Sequence, residues 1–265
     1  IPSTFSSDNP PVPDSKKRSF GLDNGSNSSL YLQGNQMNID DMARVLVEKD
    51  GVDFILFDAC MMQSVENVYE LKDAARYIIA SPAEIPGPGA YYATMVRAMF
   101  KQEAYADAMV DAYYNQYGNS GNPYGIVISA VNTSALPAFS AYMKNLIARY
   151  EERLFALDYR LLLNYFHYGE WIYKNTDMFD VRGVMLHLLD EQEYESWQNK
   201  MSQVVRCKHS NYWYSFYEKG TVQIEDSQCC GLSMFIPRKI YDDNASMKYN
   251  IVFKDTKWAQ DVWGM

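Results

Sequence analysis

Histidine is nearly missing from this chain of 265 residues: there are three, His167, His187 and His209, and none precedes the thiol of Cys60. No window approaches the roughly 18 consecutive apolar residues that a membrane-spanning helix needs, so no membrane span is expected. No signal-peptide pattern is visible, yet the chain opens on Ile1 rather than Met, and the expectation is that an upstream segment has been removed. Cysteine is scarce, with four residues, too few for a disulfide framework. Cys229 and Cys230 are adjacent and poorly placed to bridge each other. Cys207 could pair with one of them in an oxidising compartment, but buried free thiols are the expectation. Positive charge is outnumbered, 24 Lys and Arg against 33 Asp and Glu. The net charge of −9 argues against the basic face that phosphate binding requires, so no nucleic-acid partner is expected. That balance suits basic substrates or peptides, and equally simple solubility. No internal repeat or coiled-coil heptad is present.

What is abundant is apolar and aromatic: 48% hydrophobic residues and 15% aromatics exclude a disordered chain. The 22 tyrosines favour a strand-rich or recognition role over a simple helical bundle. Residues 1–36 are rich in Ser, Asn, Gly and Pro and read as an exposed loop. Within it Lys16-Lys17-Arg18 is a basic cluster, a setting for proteolytic nicking or simply a solvated charge run. The periodicity predicts a helix over 39–48, N-capped by Asn38, then a strand over 52–59, a helix over about 62–74 and a strand over 77–81. This β-α-β order implies parallel neighbours. Residues 82–90, with Pro86-Gly87-Pro88-Gly89, form a rigid loop at the sheet end that carries Cys60. Helices over about 91–100 and 102–117, a strand over 125–130 and a helix over about 134–152 follow. Residues 155–203 read as mainly helical and 204–236 as β-rich. The expected organisation is a loop over 1–36, a core over 37–154 and a C-terminal helical and β subdomain over 155–265.

The run Val52-Asp53-Phe54-Ile55-Leu56-Phe57 stops on Asp58 and then on Cys60. Strand ends that carry reactive polar groups are where open α/β sheets place chemistry. Strand alternation would point Asp58 and Cys60 to one face, roughly 6–7 Å apart. A helix N-terminus just beyond Cys60 would stabilise a thiolate, although a buried, inert cysteine is the common fate at such a position. Asp58 needs a partner, either the next helix's free N–H groups or a substrate cation. A caspase signature has Gln-Ala before its cysteine and a histidine about 50 residues upstream. Here Asp58-Ala59 stands in place of Gln-Ala, so a base at that spacing would fall near or before Ile1.

Several segments carry a closer resemblance: Asp58-Ala59-Cys60-Met61-Met62, Val65-Glu66, Tyr69-Glu70-Leu71-Lys72-Asp73, and the run from Tyr77-Ile78-Ile79-Ala80-Ser81-Pro82 through Ala83-Glu84-Ile85-Pro86-Gly87-Pro88-Gly89. Together they resemble the clostripain family of cysteine endopeptidases. Gly231-Leu232-Ser233-Met234-Phe235-Ile236-Pro237 is similar to that family's late strand. The resemblance implies an α/β, caspase-like fold, with a parallel-dominated sheet flanked by helices and its N-terminal strands outside this chain. It further implies cleavage after Arg or Lys by a Cys-His dyad, with Cys60 as nucleophile and Asp58 holding the basic P1 side chain. In that family the dyad histidine lies in a His-Gly sequence on the strand before the loop seen here at 1–36, and that sequence is missing. The chain is therefore expected to be a heavy chain whose partner, a light chain, supplies the histidine. Lys16, Lys17 and Arg18 would then be sites of self-processing.

His167 and His187 sit in apolar contexts and are expected to be packed, while His209, beside Lys208 and Ser210, is expected to be exposed. Ser81 and Glu84 are further candidates for the cleft, and residues 87–89 for its wall. No cofactor is expected. Calcium is a family possibility for which the residues identify no site. The localisation implied is secreted or bacterial cell envelope. Two alternatives stand beside the peptidase: a catalytically silent scaffolding module of the same fold, and a different α/β thiol enzyme such as an acyl transferase. Asp58 argues against the second, because a like charge opposes thiolate formation.

Overall fold

Every residue of Gly125–Val131 is buried, because this strand lies at the centre of the sheet and is covered on both faces. The structure, a computed structural model, describes residues 19–23, 35–119, 121–165, 177–216, 219–239 and 249–265. Lys16-Lys17-Arg18 and His167 lie outside these. The described strands are β1 (Ser19–Asp23), β2 (Asn35–Asn38), β3 (Val52–Leu56), β4 (Ala75–Ala80), β5 (Gly125–Asn132), β6 (Phe179–Asp180), β7 (Val205–Ser215), β8 (Gly220–Gln223) and β9 (Ser233–Met234). The helices are α1 (Ile39–Val47), α2 (Val65–Glu70), α3 (Tyr92–Met99), α4 (Tyr105–Tyr117), α5 (Leu136–Phe155), α6 (Val181–Leu188), α7 (Glu191–Val204) and α8 (Tyr249–Lys254). Asn38 takes the N-cap position of α1, but its side chain makes no capping bond there and donates to Asp41 instead, at 3.4 Å.

The central sheet has the order β3-β4-β5-β7-β8. The α/β architecture is as expected, and β3 and β4 are parallel neighbours across α2. The balance of directions is not: the pairs β4·β5, β5·β7 and β7·β8 are antiparallel, so the described sheet is not dominated by parallel pairs. One connecting helix carries a chain across a sheet and makes the next strand parallel. Two helices in succession, such as α3 and α4 between β4 and β5, bring it back to the end it left. Within 1–36, Ser19–Asp23 is a strand rather than loop, paired antiparallel with β2. Backbone pairing stabilises it, and its composition hides it.

Strand alternation divides the interior in two. Ile78, Ala80 and Val131 face one layer with α1, α2, α5, α6 and α7, where Phe139, Met143, Val184, Trp197 and Trp258 pack. Ile79, Ile126 and Ile128 face the other, with Met95 of α3 and Met109, Val110 and Tyr113 of α4. Chain beyond residue 154 contributes β7 and β8 to the same sheet, and Phe179, Val181, Val184 and Met185 pack as anchors in the first layer.

Candidate active site

β3 delivers the chain to one end of the sheet, where Phe57 N–H donates to Ile79 O at 2.9 Å as the last rung. Since the strand ends at Leu56, Asp58 and Cys60 project from the turn that follows rather than from alternate strand positions. Two backbone bonds tie that turn to the chain after β4: Met61 N–H to Ala83 O at 3.0 Å and Gln63 N–H to Ser81 O at 3.1 Å. Met61 is held at φ 60°, a left-handed conformation that costs a non-glycine residue about 1–2 kcal/mol.

Fully buried Gln63 anchors the turn from below. Its side-chain Nε2 donates to Ile78 O (3.1 Å), Ser129 O (3.2 Å) and Ser129 Oγ (3.0 Å), while its backbone carbonyl accepts from Ser233 N–H at 3.0 Å. Strands β4, β5 and β9 thereby fix one short segment. β9 is braced in turn by buried Asp180, which accepts from the N–H groups of Cys230 and Gly231 and from Tyr165 OH at 2.7 Å.

Cys60 is exposed, and all four cysteines are free thiols. Its sulfur accepts from Ile85 N–H at 3.3 Å. Partial desolvation pushes the thiol pKa up. The Ile85 N–H opposes that shift, Glu84 adds to it, the residue's own N–H opposes it, and Asp58 adds to it again. Helix α2 gives no help. It starts at Val65, with Ser64 as its cap, and has six residues. The expected thiolate stabilisation by a helix N-terminus is replaced by one loop N–H group, because the chain needs residues 61–64 to dock against Ser81, Ala83 and Ser129 before it can turn helical.

Asp58 does not bond the free N–H groups of the next helix, one of the two partners anticipated for it. Its carboxylate accepts from Tyr113 OH at 2.5 Å, from Tyr92 OH at 2.9 Å and from Ala90 N–H at 3.1–3.2 Å. Burial first, then the hydrogen bond to Asp58 and its charge, push the Tyr113 hydroxyl pKa far up, which keeps it a donor. Helix α4 also clamps the loop. Tyr117 OH donates to Gly89 O at 2.6 Å, Gln116 Nε2 to the same oxygen at 3.1 Å, and Tyr91 N–H to Gln116 Oε1 at 2.7 Å. Residues 113, 116 and 117 share one helix face, so a single face supports both the carboxylate and the loop above it.

Of the other sequence candidates, Ser81 is fully buried and bonds Ala83, to its N–H at 3.1 Å and its carbonyl at 3.0 Å, as a brace of the loop. Glu84, 5% exposed, accepts from Phe216 N–H at 3.0 Å and acts on Cys60 through its charge. His187, on α6, and His209, on β7, bond neither Cys60 nor Asp58. His209 is half-buried rather than exposed, with Nδ1 3.0 Å from Ser210 O and Nε2 3.8 Å from Asp226. Burial lowers its pKa, but Cys229, Ser210 O and Asp226 outweigh that and raise it to about 9. Its packing under the chain around Cys229 was hidden by its polar sequence neighbours. Sequence reasoning missed Gln63, Tyr92 and Tyr113; their partners are distant in the chain, and the one available signal was an amide three residues past the thiol in an apolar stretch. Among the described residues no group of three or more His, Cys, Asp or Glu is arranged to hold a metal ion, and no helix is long and apolar enough to cross a membrane.

A family model described as the clostripain family matches residues 13–263. No curated protein sequence matches significantly. Among solved structures, a B. fragilis cysteine protease superposes with a TM-score of 0.75 at 27% identity, covering 92% of this chain and 97% of its own. A secreted C11 cysteine protease from Bacteroides thetaiotaomicron, in complex with an irreversible peptide inhibitor, gives 0.73 at 28% identity over 92% of this chain and 67% of its own. An inactive zymogen C11 protease from Parabacteroides distasonis gives 0.71 at 27% identity over 85% and 62%.

Proposed function

This chain belongs to the clostripain family and is a cysteine peptidase, and we propose that it cleaves peptide bonds after arginine or lysine, with Cys60 as nucleophile and Asp58 as the acid that holds the P1 cation. The observation that carries this reading is the exposed residue Cys60 in the turn after β3, its sulfur tied to the same loop that lies over the Asp58 carboxylate.

The base is a histidine from a light chain outside these 265 residues. Two features support that assignment. Neither His187 nor His209 bonds the thiol, and among the described strands β3 is an edge of the sheet, leaving a row of backbone groups for one more strand. A strand added in parallel alongside β3 would end beside Cys60. An imidazolium there would also offset the anions that raise the thiol's pKa. The imidazole takes the thiol proton, and sulfur attacks the carbonyl to form the S–C bond. The Cys60 N–H helps to hold the oxyanion, a contribution typically worth about 3–4 kcal/mol. The proton then passes to the leaving amine, and water releases the acyl group to regenerate the thiol. The 37–154 region is the catalytic core, completed by the strands of 155–265. Self-processing at Lys16, Lys17 or Arg18 is proposed by the same specificity, and the zymogen form of one relative supports it. Secretion is proposed from the secreted relative.

The test is hydrolysis of fluorogenic peptides with Arg, Lys, Asp or Asn at P1 by the complete, processed protein. Turnover of Arg and Lys peptides alone, lost in Cys60→Ala with the circular dichroism spectrum unchanged, is expected. Unchanged turnover in that variant rejects Cys60 as nucleophile, and equal cleavage of all four peptides rejects the specificity.

A further inference from the structure

We infer that Tyr92 is a specificity-determining lid on the Asp58 pocket: its phenol is bonded to the carboxylate and must swing away to admit a basic side chain. The inference rests on the proposed role of Asp58 and adds the residue that controls access to it.

A carboxylate has about four acceptor positions, and Asp58 already serves three donors. A guanidinium binds best with two parallel bonds, one to each oxygen, so an incoming arginine needs a present donor to leave. Two of the three are fixed. Ala90 N–H belongs to backbone clamped by Tyr117 and Gln116 through Gly89 and Tyr91. Tyr113 is fully buried, with its ring 5.9 Å from that of Tyr117. Tyr92 differs from both. It is 52% exposed at the first turn of α3, and among the described residues no ring stacks on it. Its backbone follows the clamped segment while its side chain is open to solvent, so rotation about χ1 releases the phenol without moving the loop.

The exchange replaces a bond from a neutral phenol with stronger charge-assisted bonds from a cation. A neutral P1 side chain offers no such compensation and leaves the phenol in place. The displaced ring remains at the mouth, where it can lie along the methylenes of arginine or lysine or face the charge. Tyr92 thus does two opposed things: its hydroxyl competes with the substrate and its ring receives it.

Substitutions in the complete, processed protein separate these. In Tyr92→Phe the competing hydroxyl is gone and the ring kept, so KM for an Arg-P1 peptide is expected to fall about three- to tenfold with kcat unchanged, while an Ala-P1 peptide is unaffected. In Tyr92→Ala the ring is lost as well, and KM for the Arg peptide is expected to rise at least tenfold above that of Tyr92→Phe. A KM that is unchanged or raised in Tyr92→Phe overturns the lid alone, provided wild type prefers basic P1 and Asp58→Asn abolishes the preference. Wild type without that preference overturns the Asp58 reading, and the lid with it.

Discussion

Gly89 lies so close to Asp58 that a Cβ added to it would stand 2.6 Å from Oδ2, a separation that real Cβ atoms do not tolerate. Its φ of +69° is also one that favours glycine. The loop 81–90 can reach over the carboxylate and present Ala90 N–H only because this residue has no side chain. Gly89→Ala is therefore expected to displace the loop, lowering kcat/KM for basic peptides at least tenfold and stability by about 1–2 kcal/mol. Steady-state kinetics and a denaturant titration check both.

Asp58→Asn keeps the shape and the acceptor oxygen but removes the charge. A buried or half-buried ion pair to the substrate is typically worth about 2–5 kcal/mol when one partner is truncated. KM-weighted efficiency toward Arg and Lys peptides is expected to fall by about two orders of magnitude or more, against little change for neutral ones. Equal losses on both would remove Asp58 from the specificity pocket.

The Cys60 thiol, with its pKa raised above the ordinary value by desolvation and by Glu84 and Asp58, stays protonated at neutral pH unless an imidazolium stands beside it. Raising the pKa of an acid favours its neutral form, so alkylation of this chain without the histidine partner is expected to be slow at pH 7 and to accelerate steadily as pH rises into the alkaline range. Glu84→Gln keeps the acceptor for Phe216 N–H and removes one anion. The midpoint of the alkylation profile should then move to lower pH; a midpoint that stays put would show that Glu84 does not tune the thiol.

Gln63→Ala removes the amide that joins the Cys60 turn to β4 and β5. Loss of buried hydrogen bonds together with a small cavity is expected to cost about 2–4 kcal/mol. Thermal unfolding measures that cost. Activity should drop at temperatures where the variant is still folded, because the thiol's turn is no longer pinned.

Much of the plan was legible in the residues. The apolar run before Asp58, the helix of Tyr105–Tyr117 and the β5 strand follow from hydrophobic patterning, because a helix buried on one face leaves a period of 3.6 and a strand buried on both faces leaves a continuous apolar run. The antiparallel majority was not legible, since strand direction depends on how many helices separate two strands and on how they return the chain. The lengths of β3 and α2 were overestimated for a related reason. Residues 57–64 look continuous with strand and helix, but they form a turn held by contacts to Ser81, Ala83 and Ser129.

By itself the sequence determined that a thiol follows a carboxylate just past an apolar strand, that few histidines are at hand, and that residues 58–89 belong with a family of cysteine peptidases. Local chemistry and spacing suffice for that. Only the tertiary structure decided which groups hold Asp58 and Cys60. Tyr92, Tyr113, Ile85 N–H and Gln63 reach them, or the turn that carries them, across gaps of 15 to 66 residues. Hydrogen bonds between residues so far apart in the chain leave no periodic trace, because only the packing of helices on the sheet brings the partners together.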